Sequence, residues 1–215
     1  MSTAARTAIF ESIRAASGSV AHDVAAEYAA LPRPYKQIGT LSHEDRLHLM
    51  IERLREYDAD VIETTPPDLP RAIAAQLAAS GRRKFVAPSG LAKEWLIEGY
   101  NWLVDNDLKQ DQIEAAEGVV TASFCGVAES GTIVLHHSLS EGRRVLSLLP
   151  DWHLCVLRAS QIVETFPEYI ARCAEPPRLA TYVSGPSATA DIEMTRIKGV
   201  HGPRFLNVII VRDKV

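Results

Sequence analysis

The chain is poor in cysteine, has no long apolar run and carries little net charge, and each deficit removes a class of function. Its three cysteines, Cys125, Cys155 and Cys173, are odd in number, far apart and without a C-x-x-C pair. That argues against a disulfide framework, and against an iron–sulfur or structural zinc site, both of which draw on closely spaced cysteines. No stretch approaches the ~20 consecutive apolar residues that span a bilayer. The N-terminal run MSTAARTAIFESIRAAS mixes charges into a helical pattern where a signal peptide would have an apolar core. A net charge of −4 over 215 residues points to no nucleic-acid or anionic-membrane partner. A cytoplasmic protein is expected. Also missing are G-x-G-x-x-G, the P-loop, G-x-S-x-G and H-E-x-x-H. Nicotinamide, P-loop ATP, serine-hydrolase and zincin readings therefore lose support.

What is present reads as a layered α/β protein. A hydrophobic content of 47% and a charged content of 23% suit a globular chain with a full core. Thr3 to Ala16 has helical spacing, with Ile9, Ile13 and Ala16 on one face. Ser17 to Leu41 reads as a helical arm and an extended segment around Pro32 and Pro34, packed on the main body or on a neighbouring subunit of a homo-oligomer. Residues 1–41 thus form an arm and residues 42–215 the α/β domain. Ser42 precedes Glu44 and Asp45 in a capping arrangement, and Leu47, Met50, Ile51 and Leu54 follow at the spacing of one buried stripe. Ala59–Glu63 and Lys84–Ala87 read as strands. Between them Leu69, Ile73 and Leu77 mark a helix ended by Gly81. Leu91 to Asp111 is opaque. From Gly118 the chain is rich in strand-like runs, GVVTASFCGVA, GTIVLHH and HLCVLRA, and it ends on FLNVIIV. Helices alternating with short β-branched strands predict a mostly parallel sheet.

Two stretches carry candidate chemistry. Ser184-Gly185-Pro186-Ser187-Ala188-Thr189 reads as a loop between a strand and a helix over Asp191–Lys198 closed by Gly199. In open α/β sheets such loops, at the carboxyl ends of strands, bind ligands. The hydroxyls of Ser184, Ser187 and Thr189 and the helix N-terminus could donate to a carboxylate or phosphate. Gly185 permits close approach, and Pro186 stiffens the turn. Asp191 and Glu193 already bring negative charge there, so a self-capped turn accounts for the loop equally well. In the second stretch Glu129 stands at a strand end, followed by Ser130, Gly131 and Thr132 as ligand-binding candidates. Glu129 could act as a nucleophile or general base, or be a turn glutamate bonded to nearby backbone. Asp191 and His201 complete the catalytic candidates, although His201 also suits a structural turn before Gly202-Pro203. His136 and His137 point to opposite faces of a strand and cannot readily chelate one ion, so no metal site is expected. Arg143 and Arg144 could bind an anion but read by default as a solvated hairpin tip, Arg196 and Lys198 as an exposed helix face, and Trp152 as packing.

Taken together, Ala128–Thr132, Ser184–Glu193 and Gly199–Pro203 closely resemble the lactate utilisation protein C family (LutC/YkgG), whose members carry the LUD domain. The likeness runs from about Ser42 to the C-terminus, and Arg33-Pro34-Tyr35 is similar more loosely. The resemblance implies a three-layer sandwich of the NagB/RpiA/CoA-transferase type, with a mixed Rossmann-like sheet. It also implies a component of a system oxidising L-lactate to pyruvate, alongside two partner proteins that hold the iron–sulfur clusters. This chain would carry no cofactor and would bind a small organic anion, such as lactate or pyruvate, between its two loops. Two alternatives remain. CoA transferases of this superfamily use a glutamate in a similar Glu-x-Gly setting to form a thioester with CoA, which would make Glu129 catalytic. The chain could also be a non-catalytic regulatory or scaffold subunit.

Overall fold

The structure, a computed structural model, describes residues 3–17, 23–190, 196–198 and 202–213. The chain divides into two compact units, residues 1–35 and residues 36–215. The first contains α1 (Thr3–Ser17) and α2 (Val24–Ala30). Asp23 caps α2 by accepting from the Ala26 N–H at 3.1 Å. The Arg33 guanidinium lies 4.7 Å from the Tyr28 ring centre and donates to the Tyr28 carbonyl at 3.0 Å. On α1 the apolar residues Ile9, Phe10 and Ile13 are all exposed.

The second unit is built on a six-stranded sheet comprising β1 (Asp60–Thr64), β2 (Lys84–Pro88), β3 (Asn101–Asp105), β4 (Gly118–Thr121), β7 (Trp152–Arg158) and β12 (Phe205–Val211). Every pairing is parallel, in the order β1-β12-β7-β4-β2-β3. β7 and β12 are central and covered on both faces, which explains their nearly unbroken apolar sequences. On one face α4 (Leu69–Ser80) packs Leu69, Ile73 and Leu77 against Trp152, Leu154 and Val156. On the other, α3 (His43–Glu56) buries Leu47, Met50, Ile51 and Leu54 against Cys155, Leu157, Val208 and Ile210. Each of these side chains contributes about 1.5–3 kcal/mol by leaving water.

A second, four-stranded sheet shares that face: β5 (Cys125–Val127), β6 (Thr132–Leu135), β8 (Ile162–Val163) and β9 (Thr181–Val183), in the order β8-β5-β6-β9. Its inner residues, Ile133, Leu135 and Ile162, join the core under α3. Its outer residues, Cys125, Val127 and Val134, pack on Tyr169 of α6 (Phe166–Arg172). A short α5 (Gln110–Glu114) contributes Ile113 beside Val86, Val119 and Leu146. Antiparallel pairing is confined to this smaller sheet and to a ribbon of β10 (Ala188–Ala190) and β11 (Arg196–Lys198).

That ribbon corrects the last three residues of the helix expected over Asp191–Lys198, while residues 191–195 lie outside the described residues. Arg196–Lys198 is a strand, with Ile197 opposite Thr189 in the register. β-branched residues at both positions suit an extended ribbon better than a helix. The loop before β10 therefore has no helix N-terminus to lend it N–H groups. Two further differences concern strands. The run from Gly118 to Ala128 divides between the two sheets, and the opaque segment supplies edge strand β3. The expected caps are in place: Ser42 Oγ accepts from the Asp45 N–H at 3.2 Å, and Gly81 closes α4 at φ 68°.

Two glycines let α3 sit directly on the motif-bearing turns. Gly131, at φ 61°, approaches so closely that a Cβ would lie 2.7 Å from Arg53 Cβ. Gly185, at φ 97°, would place one 2.6 Å from Tyr57 Cβ. Both positions combine a left-handed backbone with an occupied space. Gly99, at φ 88° with nothing within 4 Å, carries only the backbone part. Gly131→Ala or Gly185→Ala is expected to destabilise by roughly 2–4 kcal/mol, and Gly99→Ala by about 1–2 kcal/mol. Urea denaturation of the three variants checks the ordering, and equal losses would show that α3 yields to the added methyl.

Candidate functional site

Strand register brings the two motifs together. β6 and β9 run antiparallel, with Ile133 opposite Val183 and Leu135 opposite Thr181. The residue before Ile133 therefore meets the residue after Val183. Thr132 Oγ1 lies 2.7 Å from Ser184 Oγ, and Ser130 Oγ lies 2.8 Å from Thr132 Oγ1. This chain of three hydroxyls connects the Glu129 turn to the Ser184 loop, and its central member is buried. A second bond closes the base of the C-terminal motif, where the Ser187 N–H donates to the Pro203 carbonyl at 2.7 Å. The Gly185-Pro186 and Gly202-Pro203 corners are thereby joined.

Beside this junction lies a cavity of about 250 Å³. Its walls are the run Thr181 to Ser187, then Gly202, Pro203 and Leu206, and, from the chain leading into β7, Arg144, Ser147 and His153. It lies at the carboxyl end of β9 and at the amino ends of β7 and β12. The expectation from open α/β sheets, a site outside the carboxyl ends of the main parallel strands, does not describe it. Ser184, Gly185, Pro186 and Ser187 line the cavity, whereas Glu129, Ser130, Gly131 and Thr132 are not among the lining residues; the side chain of Thr189 lies outside what the structure describes. Asp191 and His201 lie outside the described residues.

Of two further polar cavity residues, the sequence does not single out His153, and it presents Arg144 as a hairpin tip that could bind an anion. His153 is the second residue of β7, on the same face as Cys155, and is only 2% exposed. Its Nε2 lies 2.8 Å from Thr121 Oγ1. Burial pushes its pKa down to about 4, so the ring is neutral near pH 7. The available signal was a polar ring opening an otherwise apolar strand. Arg144 starts a 3-10 turn over Arg144–Ser147. Its exposed guanidinium has no hydrogen-bond or ion-pair partner among the described residues, and none of the described residues lining the cavity carries a carboxylate. Arg143 differs. It is not a solvated tip, because Nε and Nη2 grip buried Asp105 at 2.8 and 2.6 Å. That pairing holds the Asp105 carboxyl below the usual range, against the opposing effect of burial.

Glu129 is exposed on its turn, where its N–H donates to the Glu164 carbonyl at 3.0 Å. Its charge acts on Lys36. The Lys36 pKa is raised mainly by the hydrogen bond to Glu164, with Glu129 and Glu168 adding to it. Glu164 is buried and accepts from Lys36 Nζ and from the Leu41 N–H at 2.7 Å. Burial alone would push its pKa up, but these bonds hold it below the ordinary value. Glu168 accepts from the N–H groups of Gly39, Glu164 and Thr165. Neither paired histidine is free: His136 stacks on Phe124 and reaches Tyr169 Oη at 2.9 Å. His137 spans the Gly142 carbonyl and Thr181 Oγ1. Among the described residues no group of three or more His, Cys, Asp or Glu could hold a metal ion. The thiols of Cys125 and Cys155 are buried and pushed up to about 11 and about 12.

Comparison with known proteins gives consistent results. The family profile described as LUD domain matches residues 10–211. A Deinococcus radiodurans protein named Lactate utilization protein C is 40% identical over 186 residues, covering 85% of this chain and 86% of that protein. A Bacillus subtilis protein of the same name is 31% identical over 210 residues, covering 87% of each. Among solved structures, a DUF162 family protein from Deinococcus radiodurans matches with a TM-score of 0.67 and 35% identity, covering 80% of this chain and 99% of that one.

Two measurements probe this geometry. Unfolded histidine protonates near pH 6.5, whereas folded His153 stays neutral to about pH 4. The associated stability is whole above about pH 6.5 and is lost as pH falls toward 4. Between pH 7 and pH 5 the loss is about 2 kcal/mol. His153→Gln should remove that part of the slope in urea unfolding and leave the part due to His136, which burial also holds down. Thr132→Val keeps the shape but strands two hydroxyls, for an expected loss of about 1–2 kcal/mol. Thr132→Ser should recover most of it in the same assay.

Proposed function

Because this chain belongs to the LUD-domain family, we propose that it is a component of an L-lactate utilisation system, acting in the cytoplasm, and that it holds a small organic anion in the cavity beside the Ser184 loop. The pathway reading is supported by relatives named Lactate utilization protein C at 40% and 31% identity over most of the chain. The anion reading is supported by one observation above all: the Arg144 guanidinium, which has no partner among the described residues, on a cavity whose described lining residues include no carboxylate. Electron transfer belongs to partner proteins that carry iron–sulfur clusters. The three cysteines here are dispersed, and burial keeps two of them protonated.

We read Glu129 as a turn residue and not as the nucleophile of an acyl transfer: it is exposed and is not among the described residues that line the cavity. Its neighbours are Lys36 and the Glu164 backbone, which suits a turn residue in an ion cluster.

Calorimetry on the purified chain with L-lactate and with pyruvate tests the anion reading. Binding of at least one acid is expected, and Arg144→Ala should weaken it about tenfold or more, the worth of a charge-assisted hydrogen bond. Unchanged affinity in Arg144→Ala would remove the cavity from the account. Growth on lactate of a strain lacking the protein, restored by the natural chain but not by Arg144→Ala, tests the pathway.

A further inference from the structure

His153 has a second ring nitrogen, and its situation bears on what the cavity can recognise. Nε2 is occupied by Thr121, while Nδ1 has no partner among the described residues. Of the fully enclosed side-chain nitrogens and oxygens in those residues, only Arg46 Nε lacks a partner. Nδ1 is therefore not sealed in the core but opens onto the cavity that His153 lines. The other polar groups there are largely engaged: Ser184 with Thr132, Thr181 with His137, and Ser147 with the Arg144 carbonyl. Among the described residues, the Arg144 guanidinium and the neutral Nδ1 of His153 remain without a partner. The volume of about 250 Å³ matches roughly eight waters at ~30 Å³ each, so a short ligand can reach both.

We infer that His153 reads an oxygen next to the carboxylate, so that the cavity takes a short 2-hydroxy or 2-oxo monocarboxylate with its carboxylate on Arg144 and its C2 oxygen on His153 Nδ1. This rests on the anion reading above and adds the residue that recognises the C2 oxygen. Thr121 makes the site tolerant of both oxidation levels. A hydroxyl can donate to Nε2 or accept from it, and rotating it exchanges the tautomer. With Thr121 donating, Nδ1 carries the proton and suits an oxo oxygen. With Thr121 accepting, Nδ1 is bare and receives a hydroxyl proton. The ring stays neutral in both states, as its depressed pKa requires. A second carboxylate would have no second cation among the described residues that line the cavity.

Calorimetry with L-lactate, pyruvate and propionate, which lacks the C2 oxygen, tests the inference. Lactate and pyruvate are expected to bind about tenfold more tightly than propionate, one neutral hydrogen bond's worth. His153→Leu should erase that preference while changing propionate affinity less than about twofold, and Arg144→Ala should weaken all three acids. Propionate binding as tightly as lactate to the natural chain would overturn the role of His153 and leave the anion site standing. Failure of every acid to bind would overturn the anion reading and this inference with it. Should His153→Leu not fold, Thr121→Val asks the same question with the ring in place. A lactate-to-pyruvate affinity ratio shifted by more than about threefold supports the tautomer exchange, and an unchanged ratio overturns it.

Discussion

Where α3 ends, two turns from neighbouring strands press against its last residues with no side chain between. Gly131, ahead of β6, meets Arg53 and Leu54, while Gly185, beyond β9, meets Tyr57. The buried stripe of α3 fixes the helix over the core, so its end serves as a fixed seat for both turns. With the turns seated, the β6–β9 register leaves Thr132 and Ser184 within hydrogen-bond reach. The glycines here act chiefly through what they leave out. They set backbone against backbone, and the hydroxyls that follow in sequence then find one another.

Charge is distributed with a similar economy. The chain is net acidic, yet among the described residues that line its cavity the formal charge is that of Arg144. Most of the buried or half-buried acids are already engaged: Asp105 with Arg143, Asp151 with Arg204 and Arg82, Glu164 with Lys36 and backbone N–H groups. Arg144 lies one residue from a guanidinium that is fully committed and is itself uncommitted among the described residues. Neighbouring arginines of one dipeptide thus do different work, one bracing a turn and the other facing a space that an anion can enter.

The architecture was largely legible, because the stripe of α3, the Gly81 stop and the apolar run of β12 are periodic signals that burial enforces. The ribbon at β10–β11 was not. Asp191 and Glu193 read as a helix start, while Thr189 and Ile197 pair across a short antiparallel ribbon. The meeting of the two motifs could be read from their composition, but the cavity's own chemistry could not. His153 is hidden inside a strand, and only the fold shows that β7 begins at the cavity. Arg144 and Arg143 are indistinguishable until Asp105 is located, some 40 residues earlier in the chain. Local sequence reports which groups are available, whereas their partners depend on topology.

The segment from Lys36 to Leu41 illustrates how such partners restrict a chain in another way. Glu164 and Glu168 hold it at Lys36, at the Gly39 N–H and at the Leu41 N–H, and a Cβ on Gly39 would collide with Glu164. A strap fastened at three points within six residues has no slack. Adding or deleting a residue there would break at least one fastening and leave a buried carboxylate unmatched. Residues before Lys36 belong to a separate compact unit and are under no such constraint from these two glutamates. Differences in length between this chain and its relatives should therefore accumulate ahead of Lys36, while the six positions that follow keep a constant count.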